Sequence, residues 1–307
     1  MLVAIWRVRV DDTAMASVER VSFDVNGVEV VGLLHLPDGD GPHIGAVVDG
    51  PLTSVKEQVG SNYARALSER GIAVLAFDHR HFGESGGEPR QYEHPPRKVE
   101  DVRAALGFLQ GHDAIDGDRL AVVGVCAGAG YVSRAVADDP RVKAFAAVAG
   151  FFHDADKQRE WMGDKFAAQI ARGRQAREKY EQSGEVEMIP AVGKEGEVAM
   201  PLDDAFDYYG TERGAVPNYH NAFAVMSREH TLPWDAQAAA SYIEVPTLII
   251  HADAALAPAL ARKFYESLGG PKREIWLDAK CQTDFYDNPE RIASAADAIA
   301  QHVTVNV

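Results

Sequence analysis

Two runs near the start of the chain, residues 18–25 and 28–36, alternate apolar and polar positions on either side of Asn26-Gly27. That pattern predicts a β-hairpin with one buried face. Pro37-Asp38-Gly39-Asp40-Gly41 closes the second strand, and the pattern then changes. Residues 43–48, 72–77, 119–123, 142–149 and 246–250 are short, nearly unbroken apolar runs, and 274–277 is a further strand. Between them lie stretches of helical character, at about 58–70, 99–110, 127–137, 258–268 and 290–302. Continuous apolar strands separated by helices require a mostly parallel sheet covered on both faces.

From 151 to 240 the rhythm breaks. Charged helical sequence at 154–182 gives way to irregular sequence rich in Gly, Val and Glu, then to aromatic segments such as Phe206-Asp207-Tyr208-Tyr209 and Asn218-Tyr219-His220-Asn221-Ala222-Phe223. The expected organisation is one α/β core made of 18–150 and 241–307, a helical lid inserted at 151–240, and an N-terminal extension at 1–17. Met15 is an alternative start, since periodic sequence begins only at Val18.

Composition narrows the function. The 307 residues carry a formal charge of −15, which argues against sequence-independent binding to nucleic acid or anionic membrane. No run reaches the roughly 18 apolar residues of a membrane span. The first ten residues lack the cleavage site of a signal peptide, so a cytoplasmic, reduced protein is expected. Cys126 and Cys281 make neither a disulfide framework nor a metal set, and no cofactor is expected. The partner is expected to be a small molecule, with a homodimer possible.

The chemistry centres on Gly124-Val125-Cys126-Ala127-Gly128, which joins a strand to a helix. This is the pattern of a nucleophile elbow with sulfur in place of the usual hydroxyl. Val55-Lys56-Glu57-Gln58, Phe77-Asp78-His79-Arg80, Phe82-Gly83-Glu84-Ser85, Pro89-Arg90-Gln91 and Asp284-Phe285-Tyr286-Asp287 occur around it in order. Together they resemble a bacterial hydrolase family related to dienelactone hydrolases and peptidase-like esterases, over about residues 18–302. The resemblance implies an α/β-hydrolase fold with a nucleophile at the elbow. It also implies an acid after the strand ending near Ile250 and a His before the last helix.

Both partners are replaced. Aligned on the family's pattern, Ala255 falls in the acid slot, with Asp253 two positions early, and Gln282 falls in the slot of the His. Glutamine donates and accepts hydrogen bonds but does not shuttle a proton near neutral pH. The candidate catalytic set is therefore Cys126, His153, Asp49 and Gln282. His153 follows a strand at the ligand-binding end of the sheet, and Asp49 opens the loop before Leu52. The backbone N–H groups of Ala127 and Leu52 are the candidate oxyanion hole. Phe151, Phe152, Tyr219, His220, Trp234 and Tyr286 are the candidate substrate contacts, suited to a planar or polyketide-like ligand. His79, His81 and Cys281 are read as structural.

Three functions stay open. The first is a non-hydrolytic enzyme that reuses the pocket for C–C bond formation, cyclisation or elimination. The second is a Cys126-dependent hydrolase or acyltransferase with a relocated base. The third is a binding protein that converts nothing.

Overall fold

The structure, a computed structural model, describes residues 17–307. The expected extension at 1–17, Ser17 excepted, and the alternative start at Met15 lie outside the described residues. Strands β1 (Ser17–Val25) and β2 (Val28–Leu36) form the antiparallel hairpin across Asn26-Gly27, whose φ angles of 55° and 82° suit a tight turn. Then follow β3 (His43–Asp49), α1 (Ser61–Ser68), β4 (Ile72–Phe77), α2 (Pro95–Gln110), β5 (Ile115–Val125), α3 (Ala127–Val136) and β6 (Val142–Val148). The chain leaves the sheet for α4 (Ala155–Met162), α5 (Lys165–Ser183), β7 (Met188–Ile189), α6 (Asp203–Tyr209), β8 (Phe223–Ala224) and α7 (Arg228–Thr231). It returns as β9 (Thr247–His251), α8 (Pro258–Ser267), β10 (Lys272–Trp276), α9 (Asp284–Asp287) and α10 (Pro289–Asn306). This is the α/β-hydrolase fold.

The eight-stranded sheet runs β1-β2-β4-β3-β5-β6-β9-β10, parallel from β4 to β10 and antiparallel at the β1 and β2 edge. Strand alternation divides its core into two layers. Ile72, Val74 and Ala76 of β4 face the layer with α1 and α10, while Ala73, Leu75 and Phe77 face the layer with α2, α3 and α8. Most boundaries match the sequence pattern, and two differences have local causes. Helix α2 starts at Pro95, inside the expected loop, because proline is tolerated at the first helical positions and the His94 ring accepts from the Arg97 amide at 3.2 Å. The charged stretch expected as one helix is two, broken at Gly163 with φ 53°.

One buried charge cluster fixes the loops at the carboxyl end of the sheet. The Lys56 ammonium lies 2.8 Å from Asp78, 2.6 Å from Glu57 and 2.6 Å from Glu84. The Lys56 and Asp78 side chains are both fully buried, and the pair ties the turn before α1 to the loop after β4. Removing one partner strands the other charge away from water. Lys56→Met is therefore expected to cost about 3–5 kcal/mol of stability, read from the midpoint and slope of urea unfolding. A loss below about 1 kcal/mol would assign the pair to the weak class of solvent-screened bridges.

Candidate active site

The site is built around a strained turn. β5 runs directly into Cys126, whose φ of 55° and ψ of −124° are unfavourable for any residue with a Cβ. The surroundings hold it there. The Cys126 amide donates to Val148 of β6 at 3.1 Å, and its carbonyl accepts from Phe151 at 2.8 Å and Ala129 at 3.1 Å. Two glycines make the turn possible by close approach. A Cβ on Gly124 would sit 2.4 Å from the Cα of Ala129, and one on Gly128 would sit 2.5 Å from the Asp49 carbonyl oxygen. Any larger residue would push α3 off the sheet or off the loop after β3.

Cys126 is buried, and the groups around its sulfur are donors. Tyr286 Oη, the Ala127 N–H and the Gln282 side chain hydrogen-bond to it. Burial nonetheless pushes the thiol up from its ordinary value, outweighing the stabilisation that these donors give the thiolate. Gln282 is itself fixed. Its Oε1 accepts from the Leu256 amide at 2.8 Å and its Nε2 donates to the Ala149 carbonyl at 2.8 Å. Ala255 is the residue before Leu256 and packs in the same apolar cluster as Cys126. Residues 126, 255 and 282 therefore share one site, which the sequence alone could only align.

The loop after β3 faces the start of α3. Pro51 has no N–H, the Thr53 amide turns to Glu93 at 3.4 Å, and the Ser54 amide turns to Pro51 at 3.2 Å. Leu52 N–H is thus the amide of this loop not given to those acceptors. Tyr208, Tyr209 and Tyr286 surround the thiol side of the cluster, with ring centroids 5.2 Å apart for Tyr208–Tyr286 and 6.2 Å for Tyr209–Tyr286. Tyr219 joins through Tyr209 at 5.2 Å, and Leu52 and Phe151 pack against the same cluster.

Arg213 ties this aromatic wall to the loop that carries Gln282. It makes a two-pronged pair with Asp287, at 2.7 and 2.6 Å, and bonds the Thr283 carbonyl at 3.1 Å and Asp207 at 2.6 Å. Its guanidinium also lies 5.6 Å from the Tyr208 ring centroid. The Tyr286 bond and the Arg213 clamp escaped the sequence reading. A usable signal was present, since Gln282 and Tyr286 are four residues apart and share a face over one helical turn.

Other expected residues lie elsewhere. His153 is buried between the rings of Tyr131, at 5.3 Å, and Phe151, at 4.6 Å. Burial and then Lys98 hold its imidazole down to about 3, so it stays neutral and is a weak base. Its neighbour Asp154 caps α4 and pairs with Lys263 at 2.5 Å. Asp49 belongs to a buried chain in which His79 bridges Asp49 at 2.9 Å and Asp101 of α2 at 3.1 Å. One of its oxygens is thereby committed to holding the loop after β3. Phe152 stacks on Phe264 at 3.9 Å in the layer of α8, away from the Cys126 cluster, so it is packing and not a pocket wall. His220 is exposed, Trp234 bridges the two layers beside Tyr131, and Asp253 forms an exposed pair with Arg262 at 2.8 Å.

A family model described as serine aminopeptidase, S33, matches residues 58–190. The protein PA2218 of Pseudomonas aeruginosa is 31% identical over 281 residues, covering 87% of this chain and 75% of its own. The chain belongs to the α/β-hydrolase superfamily. The crystal structure of PA2218 aligns with this α/β-hydrolase at a TM-score of 0.85 and 27% identity, covering 99% of this chain and 100% of that one. Fungal relatives with functional names include the following two. Thiohydrolase aneE of Aspergillus aculeatus is 28% identical over 261 residues, 81% of each chain. Polyketide transferase claH of Penicillium crustosum is 23% identical over 272 residues, 84% of this chain and 88% of its own.

Neutral buried histidines set an acid limit. His35 and His81 are each held to about 4, His35 by burial and then Arg65, His81 by burial and then Arg97. With His153 they take up protons at about 6.5 only when unfolded. Between pH 6.5 and 4 the unfolded chain binds more protons, so stability falls as pH falls, by up to about 1.4 kcal/mol per unit for each histidine. His79 has the opposite sign, because against the penalty of burial the Asp49 charge raises it, so its contribution is lost as pH rises. His35→Leu should flatten the slope of unfolding free energy against pH in this window, and an unchanged slope would remove His35 from the account.

The Arg213 clamp is testable through Cys126 itself. In a Cys281→Ala background, Arg213→Ala should raise the rate of Cys126 alkylation by roughly tenfold, equivalent to about 1.4 kcal/mol less opening free energy. Arg213→Lys, which cannot make the two-pronged pair, should fall between. Equal rates in all three would mean that the clamp does not control access.

Proposed function

We propose that this α/β-hydrolase-fold protein is an enzyme of secondary metabolism whose triad is degenerate and whose reaction is non-hydrolytic. The reaction class is C–C bond formation, cyclisation or elimination on a polyketide-like intermediate. The observation that carries the reading is the state of Gln282. It is pinned between Leu256 and Ala149 and offers the thiol a donor where a base would have to accept a proton. With Ala255 in the neighbouring slot, no acid–base pair among the described residues activates Cys126, and its raised thiol pKa makes it a poor nucleophile at neutral pH.

Such a site suits charge that develops on a substrate oxygen. The Ala127 and Leu52 amides form an oxyanion hole, and Tyr286 Oη adds a third donor in a water-poor setting where hydrogen bonds are strong. Tyr208, Tyr209, Tyr219 and Phe151 take the planar body of the substrate, and residues 151–240 act as the lid that admits it. The name of claH, polyketide transferase, describes that protein and supports the substrate class.

The test is gain of function. The wild-type protein should hydrolyse p-nitrophenyl acetate no faster than buffer and show no burst of p-nitrophenol. Gln282→His combined with Ala255→Asp should produce a Cys126-dependent burst. A stoichiometric burst from the wild type, abolished by Cys126→Ala, would overturn the reading in favour of a thiol hydrolase or acyltransferase.

A further inference from the structure

Three hydroxyls in the wall of the site are buried and make no hydrogen bond among the described residues: Thr53 Oγ1, Tyr209 Oη and Tyr219 Oη. A buried hydroxyl without a partner costs stability, and native structures hold few of them. Ring contacts bring these to one place. Tyr209 meets Tyr219 at 5.2 Å and Tyr286 at 6.2 Å between centroids, and Tyr286 Oη bonds the Cys126 sulfur. Tyr209 and Cys126 share one apolar cluster, against which Tyr219 and Leu52 pack, and Thr53 follows Leu52 directly. Tyr219 turns its hydroxyl toward Thr53, and Tyr209 turns its own toward Ser54, the next residue of the same loop. Neither approach closes into a bond, and the Ser54 hydroxyl already donates to the Pro51 carbonyl at 2.8 Å.

The loop holds Thr53 in place under strain. Its φ of 60° lies in the left-handed region, which a β-branched residue rarely adopts, and the buried Glu93 carboxylate accepts its amide at 3.4 Å. Glu93 is fixed in turn by Lys98 at 2.6 Å, and its own amide donates to Ser227 of the inserted segment at 2.9 Å. Burial pushes the Tyr219 phenol up to about 12 and that of Tyr209 well above its ordinary value, so both keep their protons and can donate. The setting disfavours an anion. Among the described residues no cation bonds the three hydroxyls, and Asp49 Oδ2, at the start of the same loop, is also buried without a hydrogen bond.

We propose that Thr53, Tyr209 and Tyr219 form a second polar subsite, which takes a neutral oxygen of the substrate, a ketone carbonyl or a hydroxyl. This rests on the proposed function, in which the aromatic wall receives a planar, polyketide-like body. The Ala127 and Leu52 amides hold the reacting oxygen, and the three hydroxyls hold another oxygen on the same body. Together they fix which way round the substrate lies. A carbonyl has two lone pairs for two donors of the set, and a substrate hydroxyl can donate to one member and accept from another. An analogue without that oxygen leaves the buried hydroxyls unpaired, which is the physical basis of discrimination against it.

The experiment compares the wild type with the triple variant Thr53→Val, Tyr209→Phe, Tyr219→Phe, which removes three hydroxyls and keeps the packing. The probes are naphthalene, 2-naphthol and 2-naphthoate, measured by equilibrium dialysis at neutral pH. They share a planar body and differ in the attached oxygen. The wild type should bind 2-naphthol about tenfold tighter than naphthalene, and the triple variant should bind the two alike. Naphthalene should bind equally to both proteins, and 2-naphthoate should bind more weakly than 2-naphthol. In thermal unfolding the triple variant should melt no lower than the wild type, since the lost hydroxyls made no bonds. Tyr63→Phe, which deletes a hydroxyl bonded to the Phe285 carbonyl at 2.9 Å, should melt about 2 °C lower.

Naphthalene binding without a preference for 2-naphthol overturns the subsite and leaves the aromatic pocket standing. Failure of all three probes to bind overturns both. A preference that survives in the triple variant places the oxygen elsewhere and defeats the assignment. Tighter binding of 2-naphthoate than of 2-naphthol overturns the neutral oxygen in favour of an anion. A triple variant that melts further below the wild type than Tyr63→Phe makes the three hydroxyls structural.

Discussion

Everything at this site depends on one strained residue. Cys126 is held in a positive-φ conformation because β5 is locked between β3 and β6, and because Gly124 and Gly128 let α3 and the loop after β3 close to within contact of the turn. That approach places the Ala127 amide beside the sulfur. The strain is sustained by two hydrogen bonds to the Cys126 carbonyl and one from its amide. The buried Lys56–Asp78 pair and the Asp49–His79–Asp101 chain then hold the loops on either side.

The second constraint is the way Gln282 fits. A glutamine in a catalytic base position could point anywhere. Here both ends of its amide are used, one by Leu256 and one by Ala149, so it joins the loop after β9 to the end of β6. The Arg213 clamp and the Tyr286 hydroxyl extend the same structure toward the inserted segment. The bonds around Cys126 and Gln282 are organised around donors. This is the physical basis for reading the site as one that stabilises an oxyanion without activating the thiol.

Much of this was legible in the sequence for identifiable reasons. Period-two alternation and the Asn26-Gly27 turn gave the hairpin, and unbroken apolar runs gave the parallel strands, because side-chain burial dictates both. The elbow was legible because strand, glycine spacing and helix are contiguous. Less was legible in residues 151–240, where the two-stranded pair of β7 and β8 is four residues in all and α6 is seven, too short to show a period. His153 and Phe152 misled for a common reason. Their position after β6 is at the ligand-binding end, but a turn sends Phe152 to the α8 layer and His153 in among rings.

The sequence by itself determined the fold, the elbow with its sulfur, and the residues at 255 and 282, because each is a matter of local pattern or residue identity. Only the tertiary structure decided what those residues do to one another. Hydrogen-bond direction and burial at Cys126 come from groups as far apart in the chain as Ala149, Leu256 and Tyr286. No local pattern encodes that convergence, since it arises where the inserted segment and the returning sheet meet. The same limit applies to Asp49, whose environment is set by His79 and Asp101 across the sheet.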